Sequence, residues 1–366
     1  MTTSTVSPRG SASKSIVNSL TTGRLPRWAP WAILGASWLV SFAIFALMAA
    51  ASGSELNIVL AIVVGTVLFN ILIYVIARLV EGSRQATNRF VTSLVSSAFV
   101  IALLPLISLL FTVVTSGVGR FDLTFFTNSM RNVVGEGGGA AHAIIGTLLI
   151  TGMATLISVP IGVLAAIYLV EYGRGRLAQA ITFFVDVMTG IPSIVAGLFA
   201  YAFFSLIFSD PGIRFGFGGS IALCLLMIPI VVRSSEEMLR IVPNELREAA
   251  YALGVPKWLT ILKVVIPTSI AGIATGVTLA ISRVIGETAP LLIIAGFTTS
   301  VNTNLFAERM MTLPVYVYNQ YATPGTDVDV YLDRAWTGAL TLILIVMALN
   351  LIARLIARIF SPKLGR

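Results

Sequence analysis

The chain has 366 residues, 57% of them hydrophobic and only 11% charged, with a formal net charge of +8. A soluble domain carries about 25% charged residues, so this composition excludes a soluble enzyme and describes a polytopic membrane protein. The basic residues sit between long apolar runs rather than in one patch. They therefore speak of orientation in a bilayer, not of nucleic acid.

Residues 1–28 are Ser/Thr-rich and polar and read as a cytoplasmic tail; no short cleavable apolar segment marks a secretory signal there. About 20 apolar residues are needed to cross the hydrocarbon, and eight stretches qualify. The first two, Trp31–Ala51 and Ile58–Ile76, lie in a pair assigned to residues 29–80. Val91–Thr115 is the third, followed by a loop that carries Gly135-Glu136-Gly137-Gly138-Gly139 and completes residues 81–141. Then come His142–Leu169, with a kink expected at Pro160, Ile191–Ser209, Ser220–Met238, Thr268–Gly296 and Ala335–Ala357. These last five make a core over residues 142–357, and 358–366 form a second tail. Leu177–Gly190 is too polar at one end to count as a crossing. It reads either as an interfacial helix with Asp186 near headgroup level or as a continuous helix with Asp186 buried.

Of the 24 Lys and Arg residues, this topology leaves only Arg120, Arg131, Arg214, Arg309 and Arg334 outside. Arg233 and Arg283 fall within spans, and all the others face the cytoplasm, with both termini inside, as the positive-inside rule requires. The outer loops Gly117–Ala141 and Phe297–Arg334 read either as plain surface or as a docking face for an external partner.

Chemistry-bearing motifs are few. No GxxxxGK[ST] run can cradle nucleotide phosphates. The one histidine, His142, and the one cysteine, Cys224, make no metal site of the usual kind. The carboxylates are scattered over opposite sides of the membrane, which argues against paired acid–base work.

Charge inside the bilayer is the stronger signal. Arg283 lies near the middle of the seventh span, and Glu287 follows four residues on. Arg233 precedes Glu236 and Glu237 at i+3 and i+4. An intramembrane arginine must face protein or water. Either each arginine and its glutamate neutralise one another and fix helix packing, or the arginines line an anion path whose forked donors match an oxyanion. Gly286 and Pro290 bracket Glu287 and Thr288, which gives either a packing kink or a broken helix lining a cavity.

The largest polar block of the C-terminal two-thirds is Pro243–Pro267. Pro243 can start a helix, and Leu246, Ala249, Ala250 and Leu253 line one face of it. Gly254 supplies a left-handed stop, and Pro256 begins a second short rod. Glu248-Ala249-Ala250, three residues, Gly254, nine residues and Val264-Val265-Ile266-Pro267 resemble the EAA loop of binding-protein-dependent ABC importers. Together with Ile285-Gly286-Glu287-Thr288-Ala289-Pro290-Leu291-Leu292 and the glycine run at 136–139, the chain resembles the PstA-type permeases of phosphate-specific ABC transporters over roughly Asn88 to Arg366.

That resemblance implies an all-α permease with about eight spans and a type I ABC importer core. It implies a substrate path at Arg283, Glu287, Arg233 and Thr288, with no metal and no catalytic residue. ATPase coupling falls to Glu245, Glu248, Ala249, Ala250, Gly254 and Pro267. The implied partners are an ABC ATPase present as a dimer, a PstC-type permease, an external phosphate-binding protein and membrane lipid. ATP is used by the ATPase and no cofactor by this chain. The membrane implied is the prokaryotic cell membrane. Other readings are a permease for another oxyanion, the sister PstC-type subunit (disfavoured by GETAPLL), an ion-coupled secondary transporter, and a structural or signalling membrane protein.

Overall fold

The computed structural model describes residue 23, residues 25–53 and residues 56–360, without the side chains of 356–360. Most of the tail read over 1–28 lies outside the described residues, as does the second tail beyond 360. Arg9, Lys14, Arg24, Lys363 and Arg366 of the orientation argument go with them.

Fourteen α-helices follow in chain order among the described residues: α1 (Ala29–Ser52), α2 (Ile58–Val80), α3 (Ser83–Gly117), α4 (Leu123–Thr127), α5 (Ala141–Ile167), α6 (Arg176–Thr189), α7 (Ser193–Phe208), α8 (Gly216–Ile241), α9 (Asn244–Ala252), α10 (Lys257–Thr260), α11 (Ile266–Val284), α12 (Ala289–Ile294), α13 (Leu313–Ala322) and α14 (Val328–Phe360). Two π-helical turns, Tyr168–Tyr172 and Ile261–Val265, extend α5 and join α10 to α11. Seven helices are long and apolar enough to cross a membrane, or eight if the bent pair α6–α7 is one crossing.

The chain divides into two units, up to Leu109 and from Leu110. In the first, polar side chains hold apolar helices together, as they do where lipid removes the hydrophobic drive between helices. The Ser41 hydroxyl of α1 donates to the Ala61 carbonyl of α2 at 2.7 Å. Asn70 of α2 donates to Ser97 and accepts from Ser93 of α3. The buried Glu81 carboxylate receives Arg89 and the Leu25 amide.

The second unit is built around α8, the most buried of the spans. Small residues let its neighbours come close: Gly218, Gly219, Ser220, Ala222 and Cys224 are buried on α8, and Gly146, Ala154, Ser158 and Gly162 on α5. Ser220 donates to the Ile150 carbonyl at 3.0 Å and Cys224 to that of Ala154 at 3.6 Å. Equal steps of four on both helices make α5 and α8 parallel. Gly276 and Gly272 of α11 sit instead against Ser234 and Met238 of α8, so α11 runs antiparallel to it. Both α5 and α8 therefore end at the same end of the bundle, where α9 follows.

α5 stays α-helical through Pro160, where a kink was expected, and departs from α-helix only at Tyr168. Two expectations are corrected. The seventh span is not one helix over Thr268–Gly296: it begins at Lys257, ends at Val284, and is followed by a break and the short α12. The stretch Met310–Tyr316, read as outer loop, is buried, with the Leu313 amide donating to the Thr147 hydroxyl of α5 at 2.7 Å. Leu177–Gly190 agrees with the interfacial reading: α6 is a separate 14-residue helix, bent by 112° from α7.

Candidate translocation and coupling sites

The register of α11 on α8 sets the depth of Arg283. Gly276 faces Ser234, so seven residues up α11 Arg283 stands at about the level of Met227, near the midpoint of α8. By the same count Arg233 is about 9 Å nearer the α9 end, at 1.5 Å per residue.

The two arginines differ in company. Arg283 occupies the last turn of α11. Its side chain is exposed in the isolated chain, and among the described residues it pairs with no carboxylate. The helix does not carry Glu287 one turn above it. The chain leaves α-helix at Ile285 and Gly286, and the half-buried Glu287 follows with its amide donating to the Val284 carbonyl at 3.1 Å. Thr288, also half-buried, stands before α12 and accepts the Leu292 amide at its carbonyl. α12 is seated on α7: a Cβ at Gly197 would lie 2.5 Å from Pro290 Cα. Only glycine allows that approach, and the approach fixes the break.

Arg233 is held instead. It donates to Asp186 of α6 and, at 3.0 Å, to Glu236 one turn on. Glu236 also accepts from Arg240 at 2.7 Å and keeps only 10% of its side chain exposed. Glu237 takes no part and is exposed. The Asp186 partnership crosses elements and could not be read from spacing along α8.

At the α9 end, Pro243 precedes α9 rather than beginning it. Gly254 adopts φ +77°, the left-handed stop expected. The Val255 amide reaches the Ala250 carbonyl and the Gly254 amide that of Tyr251, the double closure of a Schellman motif. The second rod is not separate. α10 passes through the π-turn Ile261–Val265 straight into α11, and Pro267 lies just inside α11. Proline offers no N–H and crowds the carbonyl four residues back; here that is Lys263, inside the widened turn.

α9 turns its apolar stripe outward. Leu246 and Ala249 are exposed, Leu253 is 83% exposed, and of the stripe only Ala250 is buried. Glu245 and Glu248 are exposed as well. The buried attachment is made by a charge that sequence reading passed over. Arg247, 12% exposed, meets Glu171 at 2.9 Å, itself 5% exposed. It also donates to the carbonyls of Val242 at 2.6 Å and Leu239 at 3.0 Å. Lys257 donates to the Glu171 carbonyl and lies 4.7 Å over the Tyr172 ring. Glu171 sits on the π-turn that ends α5, so one arginine ties α9 to both parallel core helices. The signal in the sequence was an arginine at the edge of an apolar stripe and a glutamate ending a span, 76 residues apart.

Residues 158–366 match the family described as binding-protein-dependent transport system inner membrane component. Phosphate transport system permease protein PstA 1 of Mycobacterium tuberculosis is 45% identical over 75% of this chain and 89% of its own length. PstA of Haemophilus influenzae is 42% identical over 74% of this chain and 94% of its own. Among solved structures, the fold resembles a chain of a bacterial alginate ABC transporter in complex with alginate pentasaccharide-bound periplasmic protein. The TM-score is 0.57 at 15% identity, covering 79% of this chain and all of that one. An exposed arginine beside a broken helix and an outward-facing EAA helix, in a chain with these relatives, lead to one assignment: the chain belongs to the binding-protein-dependent transport permeases, in the branch of the PstA phosphate transport system permeases.

Proposed function

We propose that this chain forms one wall of the path by which inorganic phosphate enters the cell, as the PstA-type permease of an ATP-driven importer. The observation that carries the reading is Arg283: a guanidinium at the mid-depth of α8, exposed and, among the described residues, without a carboxylate partner. Such a charge is costly against lipid and is satisfied by a polar path. Its planar fork suits a phosphate oxygen pair. Glu287 and Thr288 in the neighbouring break moderate and extend that contact, so that the anion is held without being trapped. Arg233, already neutralised, serves as the lower charge of the path and anchors α6.

A PstC-type permease supplies the facing wall. An external phosphate-binding protein delivers the anion to the end of the bundle opposite α9. At the other, cytoplasmic end, the outward stripe of α9 seats in a groove of an ABC ATPase present as a dimer. ATP binds there, and this chain uses no cofactor of its own. Both termini are cytoplasmic, and lipid surrounds the remaining faces. The test is ATP-driven uptake by the transporter reconstituted in vesicles, with phosphate-loaded and sulfate-loaded binding proteins compared. Phosphate uptake without sulfate uptake is expected. Equal uptake of both would replace phosphate by a general oxyanion, and uptake without ATP would overturn the importer reading.

A further inference from the structure

At the end of the bundle opposite α9, the glycine run has a use that the transport path does not absorb. Gly135, Gly137 and Gly138 all take positive φ, at 76°, 90° and 66°. The loop thereby turns carbonyls toward two arginines. Arg334, at the start of α14, donates to the Gly135 carbonyl, and Arg120 donates to that of Gly138 at 3.1 Å.

Arg334 is fully buried, at 0% exposure. Its Nε and Nη1 have no protein hydrogen-bond partner, and among the described residues it pairs with no carboxylate. Besides the Gly135 carbonyl it meets the face of Tyr331, whose ring centre is 5.0 Å from Cζ. Arg120, at the rim with 21% of its side chain exposed, has Asp122 at 3.6 Å, yet its Nε also lacks a hydrogen bond. Both arginines act electrostatically on Tyr316, whose buried hydroxyl is likewise unpartnered. Burial outweighs that pull and holds the phenol above its ordinary range, so the hydroxyl keeps its proton and is free to donate. His142 lies edge-to-face with Tyr316, ring centres 5.7 Å apart, and neither ring nitrogen is bonded.

An unpaired charge this deep is not sustained by carbonyls alone, because a buried ion calls for a counter-charge or full hydrogen bonding. The surplus beside Arg334 is led by donors, the guanidinium N–H groups and a phenol, while the imidazole and the Gln320 Oε1 one turn from Tyr316 can also accept. We propose that Arg334, with Arg120 at the rim and the Tyr316 hydroxyl, holds one compact inorganic anion beneath the Gly135–Gly139 loop. Chloride and orthophosphate share the required chemistry. The bound anion ties that loop to α13 and α14 and so stabilises this end of the bundle. The site is separate from Arg283 and does not depend on the transport reading.

The experiment is thermal unfolding of the full chain in detergent at constant ionic strength, with gluconate replaced by chloride in one series and by orthophosphate in another. A rise in Tm of about 5 °C is expected near saturation in at least one series, and the series that shows it identifies the anion. Arg334→Gln should abolish the rise. Tyr316→Phe, the milder change, should raise the half-maximal anion concentration about tenfold, the loss of one hydrogen bond to a charge. Arg283→Gln should leave the part of the rise that Arg334→Gln removes intact, which separates this site from the substrate path. No rise with either anion, the same rise in Arg334→Gln, or an unshifted midpoint in Tyr316→Phe would overturn the proposal.

Discussion

At the scale of single residues, three charged sites on α8, α9 and α11 differ by the company they keep. Among the described residues Arg283 has no carboxylate, Arg233 has two, and Arg247 has a buried one with two carbonyls besides. Glu236 holds Arg233 and Arg240 together with little solvent access, whereas Asp186 is 59% exposed. Glu236→Gln should therefore destabilise the chain by about 1–2 kcal/mol, and Asp186→Asn by less than about 1 kcal/mol because solvent screens that pair. Thermal unfolding of the two variants side by side checks the order, and a larger loss for Asp186→Asn would contradict it. Spacing alone pointed to Arg233, Glu236 and Arg283, since local i+3 pairing and an arginine in an apolar run are visible in one dimension. It placed Glu287 on the wrong footing, because Gly286 and Pro290 were compatible with kink and break alike. Arg334 was read as an outer-loop charge and is buried, for burial there depends on α13, which the loop's polar ends concealed.

At the scale of elements, α9, the helix proposed to couple to the ATPase, was legible by its stop and its spacing but not by its seat. Nothing lies within 4 Å of a Cβ placed on Gly254, so the cost of a side chain there is conformational. Gly254→Val should weaken ATPase association while leaving membrane insertion intact. Gly254→Asn, which tolerates the left-handed region, should be closer to wild type. Retention of the ATPase on co-purification measures both, and full retention by the valine variant would remove the coupling role. Arg247→Ala leaves the Glu171 carboxylate buried and unpaired, a change typically worth about 3–5 kcal/mol. It should free α9 from the bundle, giving faster hydrogen exchange over Asn244–Ala252 and ATP hydrolysis uncoupled from transport. Unchanged exchange there would show that the ion pair is not the anchor. Gly197→Val drives a side chain into Pro290 Cα, and transport should fall sharply as α12 is displaced. Wild-type uptake by that variant would show that the α7–α12 contact does not position the break.

At the scale of the whole molecule, hydrophobic length alone foretold the helical class and seven of the eight expected crossings among the described residues, since lipid allows few alternatives to spanning helices; the eighth requires the bent pair α6–α7 to cross as one. It could not divide the chain. The first unit extends through Leu109, well into α3, because an unbroken apolar helix carries no mark where its neighbours change. We propose that α1 and α2 are an accessory to transport. A chain beginning near Glu81 should still assemble with its partners, and failure to assemble after normal insertion would make the pair integral. The central claim is that phosphate passes along Arg283, and the most direct measurement is phosphate uptake by the assembled transporter carrying substitutions there. Arg283→Gln should abolish uptake with assembly and ATPase binding preserved, Arg283→Lys should keep a part of it by retaining the charge without the fork, and Arg283→Gln combined with Glu287→Gln should stay inactive. Recovery of the double variant to near the wild-type rate would contradict the account, reducing Arg283 to a neutraliser of Glu287.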